Sequence, residues 1–117
     1  MTTNPSSATL AMDLLEDAAE AANSGLAGRV LGLVGLGALG REIARRAFAR
    51  GMEVLYADME PGAGPERRVL LSELLERSDF VMPLADGAAT SALRLRLKPG
   101  AALVDYLGHI TESYPTT

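Results

Sequence analysis

Val30-Leu31-Gly32-Leu33-Val34 runs directly into Gly35-Leu36-Gly37-Ala38-Leu39-Gly40, and a helical pattern from Arg41 to Arg50 follows without a break. The apolar run predicts a strand, and the pattern after it predicts a helix. A second apolar run, from Glu53 to Ala57, ends on a carboxylate, Asp58, 18 residues past Gly40. Strand, Gly-x-Gly-x-x-Gly turn, helix, strand and acid, in that order, form the fingerprint of a dinucleotide-binding unit. The glycine string alone is a weak signal. Its context makes it specific.

Each residue type answers a physical demand. Gly35 allows the tight turn out of the strand. Gly37 has no Cβ, so the backbone can approach a pyrophosphate. Gly40 lets the helix lie close to the sheet. The helix starting near Ala38 and Leu39 presents unpaired amides and the positive end of its dipole, which hold phosphate without a cationic side chain. Asp58 is placed to accept hydrogen bonds from the adenosine ribose. Its charge repels a 2′-phosphate, which favours NAD over NADP. Arg67 and Arg68 work against that preference, but they come nine and ten residues later, beyond a Pro/Gly loop, so the carboxylate carries more weight. The candidate cofactor-binding residues are Gly35, Gly37, Ala38, Leu39, Gly40 and Asp58, with Pro83 at the end of a later strand. The plain alternative is a glycine-rich turn that merely packs tightly. The register of strand, helix and acid weighs against it.

The 117 residues suffice for one domain with a core, and the formal net charge is −4. No basic patch interleaves with aromatics, so nucleic acid is not an expected partner. Cysteine is absent, which excludes disulfides, thiolate metal sites and cysteine nucleophiles. No apolar stretch approaches membrane-spanning length, the start lacks the features of a secretory signal, and a cytoplasmic protein is expected.

Residues 1–6 read as a disordered lead-in, 7–107 as the domain and 108–117 as a polar tail. Ser6 or Ser7 is a candidate cap for a helix running to about Asn23, which Ser24-Gly25 ends. Leu10, Ala11, Leu14, Leu15, Ala18 and Ala22 form its apolar side, and Asp13, Glu16, Asp17 and Glu20 its solvated side. The second helix should turn Leu39, Ile43, Ala47 and Phe48 inward, with Gly51 as its C-terminal cap. Further along, Val69–Leu71 predicts a short edge strand and Ser72–Arg77 a helix capped by Ser72. Asp79–Met82 predicts a strand stopped by Pro83, a helix is expected over 88–95, and Ala101–Asp105 predicts a last buried strand. Alternating strands and helices imply an α/β fold, a parallel sheet covered on both faces.

The chain resembles the NAD-binding domain of the D-isomer-specific 2-hydroxyacid dehydrogenases. The resemblance covers roughly residues 8–105. It rests on the stretches from Gly28 to Glu42 and from Gly51 to Asp58, and more specifically on Leu71-Ser72-Glu73-Leu74-Leu75-Glu76-Arg77-Ser78-Asp79-Phe80-Val81 and Leu97-Lys98-Pro99-Gly100-Ala101-Ala102-Leu103-Val104-Asp105. It implies a Rossmann-like, doubly wound, three-layer sheet of about five strands in the order 3-2-1-4-5. It also implies NAD across the carboxyl ends of the strands and pairing into a homodimer.

The departures bear on chemistry. Ala38 stands where many members carry an arginine. The strand over 79–82 and the segment between Thr90 and Lys98 look short. After the last strand the family carries a catalytic arginine in a threonine-alanine-arginine-glycine run, and here the residues are Asp105-Tyr106-Leu107-Gly108-His109. The family's later glutamate and histidine, and its substrate domain, have no counterpart in these 117 residues. Reducing a 2-keto acid needs a cation for the substrate carboxylate, a general acid and a cleft that excludes water. His109 with Glu112 or Asp105 is the one acid pair that can be drawn, although a histidine in a polar tail is more often solvated. Arg94, Arg96 and Lys98 read as surface charges. No catalytic residue is assigned, and no metal site is expected.

Three functions are therefore weighed. The first is an NAD(H)-binding module with weak or no turnover. The second is an oxidoreductase completed by a partner chain carrying the substrate domain. The third is an interaction scaffold that lost the ligand.

Overall fold

In a computed structural model of the chain, residues 6–58, 64–84 and 90–108 are described. The elements follow as α1 (Ser6–Ala21), β1 (Val30–Val34), α2 (Gly37–Ala49), β2 (Glu53–Ala57), β3 (Arg67–Arg68), α3 (Leu71–Arg77), β4 (Phe80–Pro83), α4 (Thr90–Arg94) and β5 (Ala102–Leu103). The strands form one sheet in the order β3-β2-β1-β4-β5, and every pairing is parallel. The order is the one that the resemblance implied.

Alternation along the strands builds two cores. Leu31, Leu33, Val54, Tyr56, Phe80 and Met82 point to one face, where they meet Ala8, Ala11, Met12 and Leu15 of α1 and Ile43, Ala44 and Ala47 of α2. Leu55 and Val81 point to the other face, against Leu74 and Leu75 of α3 and Leu93 of α4. The result is three layers, with successive side chains going to opposite faces of a sheet buried on both sides.

One close approach fixes α3. A methyl group at Gly32 would collide with Ser78 Oγ and stand 2.6 Å from Leu74 Cδ2. The bare Gly32 backbone thus lets the end of α3 settle onto the middle of β1. Ser78 is fully buried, and its hydroxyl has no hydrogen-bond partner among the described residues.

Several expectations need correction. Phe48 is 56% exposed, and Ala44 takes its inward place, so the buried stripe of α2 is Gly40, Ile43, Ala44 and Ala47. That is the i, i+3, i+4, i+7 spacing, and Phe48 lies one position around the helix from it. Ala22 is exposed, because α1 ends at Ala21; Asn23, at φ 55, turns the chain while Ser24 N–H reaches Ala19 O at 2.9 Å. The edge strand comes two residues early, at Arg67–Arg68, because backbone pairing with Leu55 and Tyr56, not apolar side chains, defines it. Ser72 does not cap α3. The helix opens at Leu71 after Leu70, with no side-chain cap, and packing of Leu74 and Leu75 sets its start. Pro83 is the last residue of β4, not the one after it. Leu84 N–H donates to Val34 O at 2.8 Å, so the nitrogen of Pro83 points away from β1 and its missing donor leaves the β1–β4 ladder intact. β5 is only two residues long and half-buried, because it is paired on one side alone among the described residues. Of the helix expected over 88–95, α4 supplies Thr90–Arg94, and residues 85–89 lie outside the described residues.

Candidate functional site

At the carboxyl end of β1 the chain makes a tight left-handed turn. Gly35 stands at φ 98 and Gly37 at φ 58, backbone regions that side chains with a Cβ rarely adopt. Gly35 N–H donates to Ala57 O at 2.9 Å, which ties the turn to β2. Gly40 N–H donates to Leu36 O at 2.7 Å and closes the first turn of α2. No acidic side chain lies in that first turn, so its positive end is not neutralised from within the helix.

The glycines separate into two kinds. A Cβ on Gly37 would meet no atom of the described residues within 4 Å, so among them open space stands over the amides at the start of α2. A Cβ on Gly40 would come to 3.4 Å from both Leu36 Cδ1 and Leu84 Cδ1, and Gly40 is buried. Gly37 therefore keeps a surface open, and Gly40 keeps the helix close. Ala38 is exposed beside Gly37, and Leu39 is partly buried against the core. The residues fit a dinucleotide: a backbone cradle with room for a diphosphate, at the point where the strand order reverses.

Asp58 sits directly after β2, half-buried, and its Oδ2 accepts the Leu36 N–H at 2.6 Å. The carboxylate is therefore also a strut for the glycine turn, a role that sequence spacing does not reveal. Arg68 Nε donates to the Asp58 main-chain oxygen at 3.0 Å. Ten residues apart in sequence, the two meet because Arg68 pairs beside Tyr56 in the sheet. The signal available in the sequence was the short parallel return after the Pro/Gly loop. The Pro83 ring is buried at the end of β4, beside Val34, rather than open to the turn.

The other candidate residues are dispersed. Lys98 Nζ pairs with Asp79 Oδ1 at 3.1 Å and donates to Arg77 O at 3.1 Å, so it is a brace rather than a loose surface charge. Arg94 and Arg96 are exposed. Past β5, Asp105 Oδ1 accepts Gly108 N–H at 2.8 Å, and Tyr106 is buried. His109 and Glu112 lie outside the described residues. Glu16, on the acidic side of α1, pairs with Arg50 of the chain just past α2 at 2.6 Å. No group of three metal-ligating side chains occurs among the described residues.

Comparison with known proteins now decides the family. The model of the D-isomer specific 2-hydroxyacid dehydrogenase NAD binding domain matches residues 8–92. The chain belongs to this family. The cofactor that goes with the domain is NAD(H). The match ends before Leu97, and the stretch that carries β5 is reached by structural similarity instead. A glyoxylate reductase from Paecilomyes thermophila superimposes with a TM-score of 0.72 at 26% identity, covering 94% of this chain and 45% of that one. The D-mandelate dehydrogenase of Rhodotorula graminis gives a TM-score of 0.68 at 26% identity, over 92% of this chain and 45% of its own. In sequence, the glyoxylate reductase of Thermococcus onnurineus is 41% identical over an alignment 90 residues long that covers 67% of this chain and 27% of that protein. The (S)-sulfolactate dehydrogenase of Chromohalobacter salexigens is 36% identical over 90 residues, or 29% of its length. The chain thus spans less than a third of these curated relatives. No helix among the described residues is long and apolar enough to cross a membrane.

Proposed function

We propose that this chain is an NAD(H)-binding module of dehydrogenase ancestry with weak or no turnover by itself. The observation that carries the reading is the open left-handed turn at Gly35-Leu36-Gly37, propped by the Asp58 carboxylate through the Leu36 amide. In this reading the amides of Gly37, Ala38 and Leu39 hold the pyrophosphate, and Gly35 and Gly40 shape the turn around it. Asp58 accepts from the adenosine ribose, and Pro83 supports the floor between β1 and β4. The bound cofactor would supply or accept hydride.

The limit on turnover follows from the chemistry that surrounds the substrate. Past β5 stand Asp105, an acid tied to the Gly108 main-chain amide, and Tyr106, a buried phenol, and neither residue type can supply the cation that a substrate carboxylate requires. A reductase for 2-keto acids would need groups beyond these 117 residues, and a partner chain carrying the substrate domain, or a second copy of this chain, is one way to supply them. The reading places the protein in the cytoplasm.

Calorimetric titration with NAD, NADH and NADP tests the reading directly. NAD should bind, and more tightly than NADP. Absence of binding would leave the scaffold reading in place. NADH absorbance in the presence of glyoxylate, pyruvate or hydroxypyruvate should stay nearly constant with the purified chain alone. Steady oxidation would show that the chain completes its own active site.

A further inference from the structure

We propose that Arg41 is the cation of the pyrophosphate site, reaching back along α2 over Ala38 to the open space at Gly37. The proposal rests on the cofactor reading above and adds to it a residue and a charge.

A groove of about 410 Å³ runs beside the first two turns of α2. Ala38, Arg41, Glu42 and Arg45 line its helical wall, and residues 64–66 form the facing one. Ala38 and Arg41 are three apart, so they are neighbours on one helix face. Side chains on a helix lean toward its N-terminus, which for Arg41 is the direction of Gly37. The distance to cover is about one helical turn, roughly 5.4 Å along the axis, within the length of an extended arginine. The methyl of Ala38 is too small to obstruct that path.

Charge pairing singles out Arg41 from its neighbours. Glu42 Oε2 takes Arg45 and Arg46 together, and the two guanidinium groups hold its carboxyl down at about 2. Glu42 is thus committed away from Arg41. Arg41 is exposed and makes no hydrogen bond or ion pair within the described residues. Glu66 on the facing wall is 8% exposed, and its carboxylate accepts the Gly64 amide at 3.1 Å. An uncommitted guanidinium, one turn from bare amides and on a path left clear by an alanine, matches a diphosphate in charge and geometry.

The test is calorimetric titration of NAD and of ADP-ribose into the unmodified chain, Arg41→Met and Arg45→Met, each at low and high sodium chloride. Arg41→Met should weaken both ligands by about tenfold or more at low salt, because both carry the diphosphate. It should also flatten the dependence of affinity on salt. Arg45→Met, which removes an exposed paired charge, should change affinity less than about twofold. The ligand-free melting temperature should be unchanged in Arg41→Met. The proposal fails if Arg41→Met binds as the unmodified chain does, or if Arg45→Met loses as much. If the unmodified chain binds neither ligand, the cofactor reading falls and takes this inference with it. Tight binding that is insensitive to Arg41 removes only the inference.

Discussion

Gly37 and Asp58 show how much rests on single residues. At φ 58 and with no described residue within 4 Å of a notional Cβ, Gly37 is held in a conformation that a branched residue resists, facing space that a branched residue would occupy. Gly37→Val should cost about 1–2 kcal/mol of backbone strain, leave the circular dichroism of the folded chain in place and abolish NAD binding in a titration. Asp58→Ala should act twice. It should weaken NAD and narrow the gap to NADP, and it should speed amide exchange at Leu36 even without ligand, since the 2.6 Å bond that orders the turn is gone. Exchange at Leu36 unchanged from the parent would mean that the carboxylate is not a strut. The buried hydroxyl of Ser78 gives a third test. Gly32→Ala should destabilise by about 1–3 kcal/mol through overpacking against Leu74 and Ser78. Ser78→Ala should be neutral or stabilising, because it deletes a buried polar atom with no partner among the described residues. Combined, the two should recover part of the loss in urea denaturation.

Between elements, one residue, Asp79 just before β4, ties β1 and β5 to that strand through its carboxylate and its main-chain oxygen. Asp79 Oδ2 accepts Val30 N–H at 2.8 Å at the start of β1, its Oδ1 meets Lys98, and its main-chain oxygen accepts Ala102 N–H of β5 at 3.0 Å. Partial burial pushes the Asp79 carboxyl upward, but the Val30 amide and Lys98 outweigh it and hold the group below its ordinary value of 3.8. A carboxyl held lower in the folded state than in the unfolded one contributes stability above the unfolded value, and that contribution fades as pH falls through the folded one. The melting temperature should therefore drop in acid below about pH 4. Asp79→Asn should be less stable at neutral pH and show a shallower acid decline. An identical acid limb in the variant would assign that decline to other carboxylates. Element boundaries also show what a one-dimensional reading lacks. The limits of β2 could be read from its apolar run, and Gly51 at φ 85 ends α2 as expected. The two-residue β3 could not be located, since Arg67 and Arg68 are strand only because Leu55 and Tyr56 pair with them.

For the whole molecule, the sheet presents the ends of β1 and β2 as one surface, and that surface should respond to ligand as a unit. If NAD binds the folded state alone, the melting temperature should rise with the logarithm of NAD concentration, with stabilisation of about 2.7 kcal/mol at a hundred times the dissociation constant. A flat response would point to a fold retained without its ligand. The sequence by itself determined the βαβ core, the glycine turn and the acid after β2, because these depend on local sterics and on repeats of two and 3.6 residues. It also carried the family, through wording shared along most of the chain. Only the tertiary structure decided that Asp58 holds Leu36, that Arg68 lies against Asp58, that Phe48 faces outward and that Ser78 is sealed beneath Gly32. Each of these joins or separates residues through the pairing of strands and the seating of helices, and no local pattern in a chain encodes which distant surface a side chain will meet.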